Sequence, residues 1–192
     1  LDVAAMERVF APDRLIFYDE DAVAALRDAP EGSAAATLRE RLLLEADLAL
    51  ARGPYAVTDK PAPPPGGDLH DYHHHAPYYW PNPHTPDGLP YLRHDGVRVP
   101  GTRLYEPASE RYDRTRLQRM FDDTTLLALG WLLHGDARLA THAARLVRTW
   151  FLDAETCMSP HLAFAQTRSQ SAAETGAASG LMVWFSVQPS LK

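Results

Sequence analysis

"DRTRLQRMFDDTTLLALGWLLHGDARLATHAARLVRTWFLD", residues 113 to 153, is the stretch whose period decides the fold of this 192-residue chain. Leu117, Phe121, Thr124 or Thr125, Leu129 and Leu132 share one side of its first half. Leu139, Ala143, Leu146, Val147 and Trp150 form the stripe of the second. A return every three or four residues is the helical period. Gly135 ends the first helix and Asp136 caps the next, so the short junction predicts an antiparallel hairpin. Such hairpins, repeated around an axis, build bundles or toroids.

Helical signals also precede this hairpin. "DEDAVAALRDA" (19–29) has acids first and a Pro30 stop, and "SAAATLRERLLLEADLALAR" (33–52) opens on Ser33 as a cap. Its expected buried face carries Leu38, Leu42, Ala46 and Ala49, and Gly53-Pro54 ends it. From residue 53 to about 112 the period vanishes. Twelve prolines and no clean alternation make this a long irregular segment, a form that compact domains keep for lids and clefts. After Asp153 the chain again reads as loop, and "LMVWFSVQPSLK" (181–192) is an abrupt apolar tail. The reading is a single partial domain over 1–192: helices at about 19–52, loop 53–112, hairpin 113–153, then loop and divergent tail.

Composition sets bounds on function. Apolar residues make up 45% of the chain, enough for a core, and charged residues 23%, which is not a disorder signature. A net charge of −6 weighs against nucleic-acid binding, and no apolar run is long enough for a membrane span. Cys157 is the only cysteine, so no intrachain disulfide forms.

The chemistry is concentrated in "DLHDYHHHAPYYWPNPHTPDGLPY" (68–91). His70, His73, His74 and His75 with Asp71 offer metal-type ligands, but neighbours on an extended chain point to opposite sides. A solvated or hydrogen-bonded loop accounts for them better. Tyr78, Tyr79 and Trp80 lie between Pro77 and Pro81, which stiffen the backbone and present flat rings of the kind that stack on sugars. The same rings would also serve as a plug beneath the loop. Residues 93 to 119 then carry seven arginines (93, 98, 103, 111, 114, 116, 119) against four acids (95, 106, 110, 113). The guanidinium fork suits carboxylate ligands, with intrachain ion pairs as the alternative. His161 and Gln166 lie in the loop "MSPHLAFAQ" (158–166) after the hairpin.

"HDYHHHAPYYWPNPHTPDGLPYLRHDG" (70–96) and "TLLALGWLLHGDARLATHAARLVRTWFLDAETCMSPHLAFAQ" (125–166) together resemble the alginate lyase domain family, in order and in spacing. That family carries H-D-Y-x-x-x-A-P-Y-W-W-P-[DN]-P, then P-D-G-L-P-Y-x-x-x-D-G, and later W-F-L-D-x-x-T-x-M-x-P-x-L-x-x-A-Q. Tyr79 stands where tryptophan is usual and Cys157 where arginine is common. The resemblance implies an all-α, incomplete (α/α) toroid or barrel whose cleft takes an anionic uronate polymer. It implies β-elimination without metal or cofactor, and a secreted or periplasmic location. By position in the motifs, Tyr72, Tyr78, Trp80, His161 and Gln166 are the residues expected to face substrate. The family's catalytic N-N-H-G motif has no counterpart, since Asn82 is the only asparagine, so no catalytic residue is assigned. The expectation is a truncated lyase-family domain, its likeness fading beyond about Leu181. The alternatives are a carbohydrate-binding remnant without turnover and a histidine-rich metal-binding module. Half a toroid would leave Leu129, Leu132, Leu146 and Trp150 on unpartnered helix faces and favour self-association.

Overall fold

The computed structural model describes residues 18–168. Among these described residues four helices hold the regular structure: α1 (Glu20–Arg27), α2 (Ala34–Ala49), α3 (Arg114–His134) and α4 (Ala137–Phe151). The one sheet among the described residues is a pair of two-residue strands, β1 (Tyr79–Trp80) and β2 (Leu92–Arg93), so the architecture is all-α. Short 3-10 turns occupy Val57–Asp59 and Pro107–Arg111. Among the described residues, one compact unit comprises 18–51 with 126–141, and a second comprises 52–125 with 142–168. The tail anticipated beyond residue 168 lies outside the described residues, and no helix described is long and apolar enough to cross a membrane.

Local chemistry sets the helix boundaries. Asp19 accepts a hydrogen bond from Ala22 N at 2.8 Å, and Glu20 and Asp21 add negative charge to the first turn of α1. Ser33 Oγ caps α2 by accepting from Ala36 N at 3.0 Å. At α4, Asp136 Oδ1 accepts from Arg138 N at 2.9 Å. Gly135, at φ +75°, gives α3 the left-handed terminus that a side chain resists.

In the first unit α1 packs against α2, and Arg39 ties them by donating to Arg27 O at 2.6 Å. Ala36, Ala46 and Ala49 are the buried face of α2. Gly130 lies against Ala46, where an added Cβ would come to 2.7 Å from the alanine methyl. Leu38 is not on that face. It is 51% exposed, with Leu44 and Leu48 also exposed, because α2 is apolar on several sides and alanines allow the closest approach.

The second unit corrects another expectation. Leu146 and Trp150, anticipated on an unpartnered face, are both 0% exposed there; Leu129 and Leu132, in the first unit, are half-buried. The irregular segment supplies the cover: the backbone at Gly53 approaches Leu146 so closely that a Cβ there would lie 2.6 Å from Leu146 Cδ2. Arg52 and Tyr55 then fasten this entry to α3, donating to Asp123 Oδ1 and Oδ2 at 2.6 and 2.7 Å.

The same crowding occurs nearer the aromatic loop. Gly101 has φ +92°, and its Cβ position is 2.7 Å from Ala108 O and 3.2 Å from Tyr112. Gly101→Ala should therefore lower stability by about 2–3 kcal/mol, from backbone strain plus overlap. Urea unfolding of the variant checks this; an unchanged midpoint would mean that the turn relaxes without cost.

Candidate functional site

The segment 73–80 turns once at Pro77 and Tyr78, where Tyr79 N donates to Ala76 O at 3.1 Å, and is held on both edges by backbone hydrogen bonds. On one edge His74 N donates to Phe164 O, Thr167 N to His74 O, and Ala76 N to Thr167 O, at 2.9–3.0 Å. On the other, Val99 N donates to Pro77 O and His94 N to Tyr78 O, both at 2.8 Å. β1 meets β2 in register Tyr79 with Arg93 and Trp80 with Leu92. Loops that are prolines apart in sequence thus become a small platform. Its backbone groups are satisfied without a full sheet, which fixes the directions of the rings.

Four of the five residues expected at a ligand surface reach solvent. Tyr78 is half-buried, with the Arg98 guanidinium carbon 5.5 Å from its ring centroid. Trp80 is half-buried and donates its indole N–H to Val97 O at 2.9 Å, which pins the ring. His161 has a side chain 47% exposed, and its Nε2 lies 3.0 Å from Asp71 Oδ1. Asp71 is turned inward and also accepts from Asp68 N at 2.9 Å, so it orients the imidazole. Gln166 is half-buried immediately before the bridge residue Thr167. Tyr72 departs from expectation. At 1% exposure it is enclosed, and burial together with the Asp113 charge raises its phenol pKa. A ring of that size sealed inside is a support for the platform rather than a surface for a ligand.

His73, His74 and His75 are packed inside the fold, with the Nδ1 atoms of His73 and His74 buried without a hydrogen-bond partner. His73, His74 and His75 surround the ring of Tyr112, at centroid distances of 5.2, 5.6 and 6.1 Å. His73 Nε2 meets Thr167 Oγ1 at 3.2 Å, and His75 Nε2 meets Tyr79 O at 2.6 Å. Burial pushes the His73 pKa down to about 4 and that of His74 to about 3, so both rings are neutral at ordinary pH. No group of three or more His, Cys, Asp or Glu among the described residues is arranged to hold a metal ion.

Beneath the platform is a buried ion network. The Lys60 and Asp113 side chains are both 0% exposed and 3.0 Å apart. Lys60 Nζ also donates to Val57 O and Leu69 O at 2.6 Å. Asp113 accepts further from His73 N at 2.8 Å and Arg116 Nη1 at 3.0 Å. Burial pushes the Asp113 carboxyl up to about 6 and the Lys60 ammonium down, each restrained by the other's charge. This network joins the start of the irregular segment, its aromatic middle and the first turn of α3.

The arginine cluster divides into two kinds. Arg93 pairs with Asp95 at 2.7 Å, Arg116 with Asp113, and Arg119 with Glu110 at 2.7 Å. Like Arg103 and Arg111, Arg98 and Arg114 have no carboxylate within ion-pair distance among the described residues. Both donate instead to one neutral acceptor, Thr102 O, at 3.0 and 3.4 Å. The cluster is visible in the sequence, whereas the split within it is not, because pairing depends on contacts across the fold.

A family model for alginate lyase matches residues 56–188. Among solved structures, the chain is similar to the crystal structure of an alginate lyase from Bacteroides ovatus, at 35% sequence identity and a TM-score of 0.72. That alignment covers 88% of this chain and 42% of the other, so the chain spans less than half of that protein's length. No curated protein sequence matches it.

Proposed function

Because this chain belongs to the alginate lyase family, we propose that its aromatic platform binds an anionic uronate polysaccharide such as alginate, as part of a β-eliminating lyase. The observation that carries this reading is Tyr78: a half-exposed ring fixed by backbone bonds, beside a guanidinium that makes no ion pair among the described residues. Ring faces stack on the apolar face of a pyranose, and guanidinium groups attract its carboxylate.

β-Elimination at a uronic acid breaks the C5–H bond and then the bond from C4 to the glycosidic oxygen, leaving a C4=C5 double bond. The carboxylate must be neutralised so that the C5 proton becomes acidic, a base must take that proton, and an acid must protonate the leaving oxygen. Tyr78, Trp80, His161 and Gln166 are proposed as contacts to the sugar, with His161 held in place by Asp71. No base is assigned among them. His73 and His74 are neutral but enclosed against Tyr112, which favours a structural role. A polymer substrate fits a secreted or periplasmic protein.

Titration with oligouronates, followed by calorimetry and by absorbance at the unsaturated-uronate band, tests the reading. Binding is expected, with Tyr78→Ala weakening it roughly five- to tenfold, the scale of about 1 kcal/mol for a ring contact. Growth in absorbance would assign turnover to this chain, and binding without it a sugar-holding role. A folded protein that does neither would overturn the proposal.

A further inference from the structure

We propose that Arg98 and Arg114 form a two-guanidinium clamp for a single sugar carboxylate, placed against Tyr78. This rests on the reading of the platform as a uronate-binding surface. Arg98 donates from Nη2 to Thr102 O at 3.0 Å, and Arg114 from Nη1 to the same oxygen at 3.4 Å. Two cations are therefore brought to one uncharged acceptor. Thr102 is 0% exposed and its hydroxyl donates to Val99 O at 2.6 Å, so that acceptor cannot readily move away.

The arrangement costs free energy unless an anion joins it. Like charges repel, and Arg114 is partly desolvated: burial holds its pKa below the ordinary range, and the Arg98 charge adds to the effect. Arg98 Nε is buried with no hydrogen-bond partner. An unsatisfied buried donor on a charged group is among the more expensive features a fold retains. Glu106, whose ionisation is favoured in part by Arg98, is not the missing partner. Its Oε1 accepts from the backbone N–H groups of Gly101 and Arg103.

Geometry selects the ligand class. Arg98 Nη1 is 3.4 Å from Tyr78 Oη while its guanidinium carbon lies 5.5 Å from the ring centroid, so charge and aromatic face occupy one place. A planar carboxylate carried on a sugar ring meets both, by bidentate pairing with the guanidinium and stacking on the phenol. A neutral sugar would use only the second.

Calorimetric titration of the whole chain with an oligouronate, and with the same oligomer after reduction of its carboxyl groups, tests the clamp. The acidic oligomer is expected to bind about tenfold or more tightly than the reduced one. That preference should weaken as salt is raised. Arg98→Gln and Arg114→Gln should each remove most of the preference, lowering affinity for the acidic oligomer far more than for the reduced one. Equal affinity of the unaltered protein for both oligomers would overturn the clamp without recourse to any variant, and the platform reading would stand. Folded variants that keep the full preference would also overturn it alone. Failure of the unaltered protein to bind either oligomer would overturn the clamp together with the reading beneath it.

Discussion

Asp113→Ala should destabilise the fold by about 3–5 kcal/mol, the cost typical of breaking a buried ion pair from one side. The carboxylate accepts from Lys60 Nζ, Arg116 Nη1 and His73 N. Its removal strands an ammonium that is 0% exposed and cannot reach water. A loss of this size is a large share of the 5–15 kcal/mol that holds a typical domain together. Urea unfolding monitored by far-ultraviolet circular dichroism measures it. The double variant Lys60→Met with Asp113→Ala removes the stranded charge and should regain part of the loss. If the double variant were no more stable than Asp113→Ala, the ammonium would not be the main cost.

Acid should unfold this protein early, starting near the ordinary pKa of histidine. His73 and His74 are buried in neutral form, with folded pKa values of about 4 and about 3 against an ordinary value near 6.5. Burial also lowers His75. The unfolded chain therefore binds protons at these positions more readily than the folded one, so stability is fully present above about pH 6.5. It is lost as pH falls through the folded values of about 4 and about 3. At about 1.4 kcal/mol for each pH unit, the two numbered histidines withdraw on the order of 3–5 kcal/mol apiece. Asp113 works in the opposite direction: its folded pKa of about 6 lies above the usual carboxylate range, so proton uptake there favours the fold over the same window. One group against three leaves the histidines in control. Thermal melts between pH 7 and pH 4 should show a falling midpoint, and His74→Phe should flatten that fall. A midpoint independent of pH over this range would refute the assignment.

The helical part of the molecule was readable from local features. The Ser33 and Asp136 caps act over two or three residues, and the glycine after α3 marks its end in the sequence itself. Leu38 was misplaced for a related reason. In a helix apolar on several sides, period alone does not say which side is closest to a neighbour, and α2 buried its alanines. The aromatic loop was legible as a place for a ligand surface only in composition. Stiff rings between prolines could be seen, whereas the enclosure of Tyr72 could not.

The sequence alone determined the all-α class, the family and the segment that carries the chemistry, because capping, helical period and motif order are properties of neighbouring residues. Tertiary structure alone decided which arginines are neutralised and which histidines are sealed. It also placed Leu146 and Trp150 in the interior. Those outcomes depend on partners as distant as 40 residues for His73 N with Asp113 and 94 for His73 with Thr167. Charge and burial act through space, so a residue's ionisation and exposure are set by whatever the folded chain brings alongside it.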